Sequence, residues 1–120
     1  MSRTMSTLTI LHNPHCSKSR AALALLSERG VPLRVVEYLS APLSRDELDA
    51  LRTKLGIPAR EWVRSGEAAF TEAGLSPAST EDQILDAMAT HPILIERPIV
   101  VRGDRALIGR PPERVLELLD

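Results

Sequence analysis

Hydrophobic positions switch along the chain between the two-residue period of strands and the longer period of helices. Residues 7–12 (TLTILH) form a short β-rich run that ends in the turn signal Asn-Pro, and LRVVEYL from Leu33 predicts a second strand. Between them, SKSRAALALLSER at 17–29 predicts a helix, with Ser17 or Ser19 as its cap and Gly30 at its end. Strand, helix and strand within about 40 residues favour a parallel pair with a right-handed crossover.

The middle of the chain has helical patterning and helix-start signals. Ser44 and Glu47 form a capping box that opens a helix at 44–56, and Thr80 with Gln83 opens another that extends to about residue 91. Pro58 begins a short helix, whereas AAFTEAGLSPAS at 68–79 is rich in turn residues. We therefore expect a helical segment at 43–92 that separates two β-containing halves.

The C-terminal part predicts two more strands and a last helix. PIVVRGDRALIG at 98–109 has two apolar runs joined by a Gly-Asp turn, and PPERVLELLD at 111–120 has proline in its first turn. The order β-α-β, helical insertion, β-β-α predicts one α/β domain over 1–120 with a thioredoxin-like fold. We expect a mixed four-stranded sheet with helices on both faces, the insertion at 43–92 and a loose N-terminus at 1–6.

Composition and charge narrow the classes of function. Hydrophobic residues make up 43% of the chain and aromatic residues 2%, so the core is expected to be aliphatic. The net charge of −1 gives no broad basic surface for nucleic acid or an anionic membrane, and neither is expected as a partner. No signal peptide or long apolar span is visible, and the single cysteine suits the reducing cytoplasm.

Positive charge is concentrated towards the two ends of the chain. No acidic residue occurs between Met1 and Ser27, and five arginines lie between Arg97 and Arg114. If these segments meet in space, they form a local cationic site on a nearly neutral protein. Such a site suits a small anion better than a polymer.

The single cysteine, Cys16, follows a predicted strand and directly precedes a predicted helix. Helix N-termini favour negative charge, and a thiol there has a pKa below the value of about 8.5 typical of free cysteine. Two interpretations remain open: a nucleophilic thiolate or a small buried hydrophobic residue. His12 either orients or deprotonates the thiol, or simply ends a strand. Three dispersed histidines and one cysteine lack zinc-site spacing, so no metal is expected.

Two arginines lie at predicted element boundaries, where a side chain can face a cleft. Arg97 precedes Pro98 and an apolar strand, and Arg110 lies in GRPP between a strand and a helix. Guanidinium groups suit a tetrahedral oxyanion, and they suit the carboxylates of glutathione equally well. Ser19 occupies the second position of a Cys-x-x-Cys motif, which excludes dithiol exchange within it.

Several motifs together resemble one known family. They are HNPHCSKSR at 12–20, EYL at 37–39, SRDEL at 44–48, EWVRSGE at 61–67, HPILIERPIVV at 91–101 and GRPPERVLELL at 109–119. The chain is similar over 7–119 to the glutaredoxin-coupled arsenate reductases of the ArsC type. The resemblance implies reduction of arsenate to arsenite by a cytoplasmic monomer without a bound cofactor. Glutathione would be the co-substrate and glutaredoxin the protein partner.

The resemblance also assigns residues to roles. Cys16 would be the nucleophile, with His12 supporting its thiolate. Pro98 would follow a cis peptide bond beside the cysteine. Substrate would be bound by Arg64, Arg97, Arg110 and Ser17.

One feature departs from the best-studied members of this family. They carry Gly-Thr-Ser-Arg after the cysteine, whereas this chain has Ser-Lys-Ser-Arg at 17–20. Two other functions therefore stand beside arsenate reduction. One is a glutathione-dependent thiol-disulfide transferase. The other is a non-enzymatic regulatory or polymerase-binding module, since a related branch of regulators that bind RNA polymerase shares the fold.

Overall fold

The computed structural model describes residues 7–119, so the prediction of a loose segment at 1–6 lies outside the described residues. These residues contain four strands and four α-helices, and strands alternate with helices only in the N-terminal part. They are β1 (Leu8–Leu11), α1 (Ser17–Glu28), β2 (Leu33–Val36), α2 (Arg45–Leu55), α3 (Ala68–Glu72), α4 (Glu81–Thr90), β3 (Ile99–Arg102) and β4 (Arg105–Ile108). Three 3₁₀ segments lie at Ala59–Glu61, Pro92–Leu94 and Pro112–Leu119.

The strands form one mixed sheet in the order β2-β1-β3-β4, which confirms the predicted four-stranded α/β sheet. β1 and β2 are parallel, while β1–β3 and β3–β4 are antiparallel. Ile10 pairs with Val35 on one side and Val100 on the other, and Val100 pairs with Leu107. The predicted β3–β4 hairpin turns at Gly103, whose φ of 62° suits glycine.

One aliphatic cluster holds α1 and the C-terminal 3₁₀ segment against the same face of the sheet. Alternate strand residues share a face, so Leu8, Ile10 and their cross-strand partner Val100 point together. The buried members of the cluster are Leu8, Ile10, Ala22, Leu26, Val100, Val115 and Leu118. This packing determines where α1 begins relative to the end of β1.

The two predicted capping boxes are confirmed, but the predicted cap of α1 is wrong. Ser44 caps α2 and Thr80 caps α4, each with the reciprocal bond from the third helical residue. In α1 the N-cap is Cys16. Ser17 is already helical, and the Ser19 hydroxyl is hydrogen-bonded to the segment that follows β1.

Two further segments differ from the sequence-based prediction. Residues 68–72, predicted as turns, form the short helix α3, since Ala and Glu favour helix and Gly74 ends it in the left-handed region. The C-terminal segment is a 3₁₀ helix. Its buried residues Val115 and Leu118 are three apart, which matches the three-residue turn of a 3₁₀ helix.

The described residues divide into two compact units. One contains the sheet, up to Glu37 and again from Arg97, and the other is Tyr38–Glu96. In the second unit α2 packs against α4, and Arg45 bridges them through Asp82 and Asp86 at 2.7 and 2.6 Å. The second unit contains the predicted insertion at 43–92. Within residues 7–119, no helix has both the length and the apolar character needed to cross a bilayer.

Gly109 occupies a position in the sheet unit where a side chain does not fit. Its N–H donates to the Pro98 carbonyl at 2.8 Å, and a Cβ there would lie 2.8 Å from Val115 Cγ1 and 2.9 Å from Pro98 Cγ. We expect Gly109→Ala to lower the free energy of unfolding by about 1–3 kcal/mol, because the core must shift to admit the methyl group. Chemical denaturation measures this. Gly66→Ala is the control, since a Cβ at Gly66 has no neighbour within 4 Å; equal stability of the two variants would contradict the prediction.

Candidate active site

Cys16 lies at the first turn of α1, where the chain leaves the sheet and becomes helical. Its backbone is extended, with φ −102° and ψ 122°, and its N–H donates to the Asn13 carbonyl at 3.0 Å. The Cys16 carbonyl accepts the first intrahelical bond, from the Arg20 N–H at 3.0 Å. The residue is 9% exposed, so the sulfur is largely withdrawn from water while lying at a helix N-terminus.

Opposing effects act on the Cys16 thiol, and the net result is a lowered pKa. Burial, the largest effect, raises the pKa because it disfavours the charged form. The Ser19 N–H, the Arg97 guanidinium and the Lys18 N–H together outweigh it and lower the pKa. The Sγ makes no regular capping hydrogen bond to the helix. The thiolate is thus stabilised by the donors of the first turn and by one cation.

His12 directly follows β1 and is enclosed, with 5% exposure. Its backbone N–H donates to the Val36 carbonyl at 2.8 Å, and its ring Nδ1 lies 2.7 Å from Ser19 Oγ. Burial lowers the pKa of His12; Glu37 opposes this effect and Arg20 adds to it. The imidazole is therefore neutral at pH 7, as suits a group that acts as a hydrogen-bond donor or acceptor rather than as a fixed cation.

Arg97 and Arg110 are linked to each other, and Arg97 is linked to the thiol. The Arg97–Pro98 peptide bond is cis, and so is Arg110–Pro111. Arg110 Nε donates to the Arg97 carbonyl at 2.9 Å, while the Arg97 guanidinium acts on Cys16. The sheet unit thus connects the cysteine to two of the three predicted arginines. Such a cation beside a buried thiolate can stabilise an anion that the thiolate attacks.

Arg64 lies in the other unit, in a different environment. Its backbone N–H donates to the Leu94 carbonyl at 2.7 Å. Its guanidinium pairs with Glu67 and, at 3.7 Å, with Glu96. These two carboxylates were not predicted from the sequence as partners of Arg64. An oxyanion would have to compete with them for Arg64, and the role of this residue in binding stays a prediction.

Ser17 is the first residue of α1 and is exposed. Its backbone N–H belongs to the first turn, whose donors lack intrahelical partners and favour anions. Its place in substrate binding also stays a prediction. Among residues 7–119, no group of three or more His, Cys, Asp or Glu side chains could hold a metal ion.

Two residues near the thiol were not assigned a role from the sequence. Asn13 accepts the Cys16 N–H through its carbonyl and the His15 N–H through Oδ1 at 2.9 Å. Ser19 is fully buried and bonds to both His12 and Asn13. The Asn-Pro turn and the Cys-x-x-Ser spacing indicate a tight loop. They do not indicate which hydroxyl closes it, since that depends on how α1 packs on β1.

A cysteine at the N-terminus of the first helix, on a βαβ–ββα sheet, defines a thioredoxin-like thiol protein. The model of the ArsC family matches residues 11–118. The chain belongs to the ArsC family.

Named relatives cover nearly the whole chain. It is 45% identical over 117 residues to an arsenate reductase of Neisseria meningitidis serogroup A, covering 96% of this chain and 100% of the relative. It is 44% identical over 116 residues to an arsenate reductase of Escherichia coli, covering 96% of this chain and 82% of the relative. A solved structure, the arsenate reductase from Vibrio cholerae, has a TM-score of 0.89 and 44% identity, covering 95% of this chain and 98% of its own.

The lowered pKa of Cys16 predicts a shifted pH profile for its alkylation. Because only the thiolate reacts, half-maximal iodoacetamide alkylation is expected at a lower pH than for free glutathione. Arg97→Gln is expected to move that midpoint upward, since it removes a cation from the thiolate. Arg29→Gln is the matched control, because Arg29 is exposed at the opposite end of α1. A wild-type midpoint equal to that of glutathione would contradict this account.

Proposed function

We propose that this ArsC-family chain reduces arsenate to arsenite, with Cys16 as the nucleophile and glutathione as the source of electrons. The observation that carries the proposal is the position of Cys16. It lies at a helix N-terminus, beside the Arg97 guanidinium, and has a lowered pKa. The names of the relatives add the substrate, since they are called arsenate reductases.

Arsenate is a tetrahedral oxyanion, and the proposed binding groups are cations and N–H donors. Arg97 and Arg110 are joined through the Arg97 carbonyl in the sheet unit. The first-turn N–H groups of α1, from Ser17 onward, are further donors to an anion. Arg64 is assigned to binding on the family resemblance. Fixed positive charge offsets the charge that builds on the arsenate oxygens during attack.

The first chemical step forms a bond between sulfur and arsenic. The Cys16 thiolate attacks As(V), and one arsenate oxygen leaves with protons as water, which gives a Cys16–S–As(V) adduct. No oxidation state changes in this step. The lowered pKa of the Cys16 thiol raises the fraction of the attacking thiolate near neutral pH.

The second step transfers two electrons to arsenic. A glutathione thiolate attacks the Cys16 sulfur and forms a mixed disulfide, and the electron pair of the S–As bond stays on arsenic, which leaves as arsenite. A glutaredoxin thiolate then attacks the glutathione sulfur and releases the Cys16 thiolate. The chain has one cysteine, so no disulfide within the chain can take the place of glutathione.

The same chemistry supports a cytoplasmic location. Cys16 must return to the thiolate after each turnover, which requires a compartment where glutathione is reduced. A monomer is proposed on the family resemblance.

Replacing the nucleophile tests the proposal directly. Cys16→Ser is expected to abolish arsenate reduction in an assay with glutathione and glutaredoxin, because a hydroxyl of ordinary pKa does not attack arsenic at neutral pH. Circular dichroism should show an intact fold. Cys16→Ser combined with Ser27→Cys is the matched control: it restores one thiol on the exposed surface of α1 and should also be inactive. Arsenate reduction by Cys16→Ser would refute the assignment.

A glutathione-dependent thiol-disulfide transferase is the second candidate. The ion pairs of Arg64 favour it, because an oxyanion would have to compete with these carboxylates for the guanidinium. Arg64→Ala distinguishes the two functions. If arsenate is the substrate, arsenate reduction should fall by about 100-fold or more, as when a transition-state donor is removed, while exchange with a glutathione mixed disulfide changes little. Arg60→Ala is the control, since Arg60 is exposed in the same unit. Equal losses in both assays would favour the transferase.

The regulatory module is the third candidate, and the pKa of the Cys16 thiol distinguishes it from the two enzymes. A module that only binds a partner has no use for a thiol whose pKa is lowered. The lowered pKa of Cys16 favours the enzymatic functions over it.

A further inference from the structure

The side chain of Ser19 has no role in the proposed reaction. It stands three residues after the reactive thiol, where a dithiol protein would carry its second cysteine. The side chain is fully buried, with 0% exposure. A buried hydroxyl needs hydrogen-bond partners, and the identity of those partners indicates what the residue does.

Two groups surround the Ser19 hydroxyl within residues 7–119, and each lies just after β1. The Asn13 N–H donates to Oγ at 3.0 Å, and His12 Nδ1 lies 2.7 Å from the same oxygen. A backbone N–H can only donate, so Oγ is an acceptor towards Asn13. The hydroxyl carries one proton, and Nδ1 is the acceptor within reach of it.

The imidazole ring then has a determined proton arrangement. A neutral histidine has one N–H and one lone pair, and the bond made by one nitrogen sets the state of the other. When Nδ1 accepts from Ser19, the ring proton must be on Nε2. Burial and Arg20 both favour the neutral ring, with the Glu37 carboxylate acting in the opposite direction.

We propose that Ser19 is a positioning residue whose hydroxyl donates to His12 Nδ1 and holds the imidazole as the Nε2–H tautomer. This inference rests on the proposed function of Cys16. On the role that the family resemblance assigns to His12, an N–H at Nε2 is the group that donates to the thiolate or to an arsenate oxygen, whereas the other tautomer would present a lone pair. Ser19 also acts on the thiolate itself through its backbone N–H. One residue thus couples the orientation of the imidazole to the stabilisation of the thiolate.

The tautomer is measured directly in the wild-type protein. In long-range ¹H–¹⁵N spectra at pH 7.5, we expect His12 to show a protonated Nε2 and an unprotonated Nδ1. In Ser19→Ala we expect a mixture of tautomers or the Nδ1–H form. A wild-type ring with its proton on Nδ1 would overturn the proposal even if Ser19→Ala failed to fold. A Ser19→Ala protein that keeps the pure Nε2–H form would overturn it too.

A double-mutant cycle on thiol reactivity tests whether Ser19 acts through His12. The hydroxyl is expected to matter only when the imidazole is present, so Ser19→Ala should raise the alkylation midpoint of Cys16 in wild type but not in His12→Ala. Ser27→Ala, on the exposed side of α1, is the control and should leave the midpoint unchanged. Additive shifts would contradict the coupling.

The reaction itself gives a third measurement. We expect Ser19→Ala to lower kcat/KM for arsenate about tenfold, as when other residues that orient a histidine through its second nitrogen are lost. Ser19→Thr restores the hydroxyl and should recover part of that loss. An unchanged kcat/KM in Ser19→Ala would contradict the positioning role. The spectra and the alkylation use no arsenate. An inactive wild type with the expected tautomer would therefore refute the proposed function and leave the link between Ser19 and His12 intact.

Discussion

The packing of α1 against β1 is the constraint on which the site depends. Ile10 on the strand and Ala22 and Leu26 on the helix are all completely buried in one aliphatic cluster. With both elements held there, the chain has only residues 12–16 in which to leave the sheet and start the helix. The loop is closed by Asn13, which is bonded to Cys16 through its carbonyl and to Ser19 through its N–H. The thiol has little freedom because the hydrophobic core leaves the loop little freedom.

This placement resolves a conflict between burial and charge. Burial alone would keep the Cys16 thiol protonated, since a thiolate loses hydration when it leaves water. The first-turn N–H groups and Arg97 supply polar contacts that are already in place when the thiol ionises. They need no reorganisation, and the surrounding low-dielectric environment strengthens them. The same burial that makes the thiolate costly therefore makes each donor more effective, and the net result is a lowered pKa of the Cys16 thiol.

The fold could be predicted from the sequence to a large extent, because its signals are local. The capping boxes at Ser44 and Thr80, the hairpin at Gly103 and the alternating strand residues each specify a structure within a few neighbours. The errors have physical reasons as well. The cap of α1 is Cys16 because the Ser19 hydroxyl finds better partners after β1, and a tertiary contact decides that choice. The C-terminal helix is 3₁₀ because packing selects the spacing between Val115 and Leu118.

The residue types of the site could be predicted from the sequence, but the hydrogen bonds and ion pairs of those residues could not. A lone cysteine before a helix, and arginines at strand ends, indicate an anion-handling thiol. The pairing of Arg110 with the Arg97 carbonyl, and of Arg64 with Glu67 and Glu96, arises from residues distant in sequence or of ordinary surface type. These pairings give the three arginines different surroundings. Arg97 acts on the thiolate, and Arg110 donates to the Arg97 carbonyl. Arg64 starts from two carboxylates, and its exchange of those partners for an oxyanion would make binding sensitive to the charge of the anion. A doubly charged oxyanion and the carboxylates of a glutathione disulfide would each have to displace Glu67 and Glu96 from Arg64, so these ion pairs would favour whichever anion places more negative charge at the guanidinium.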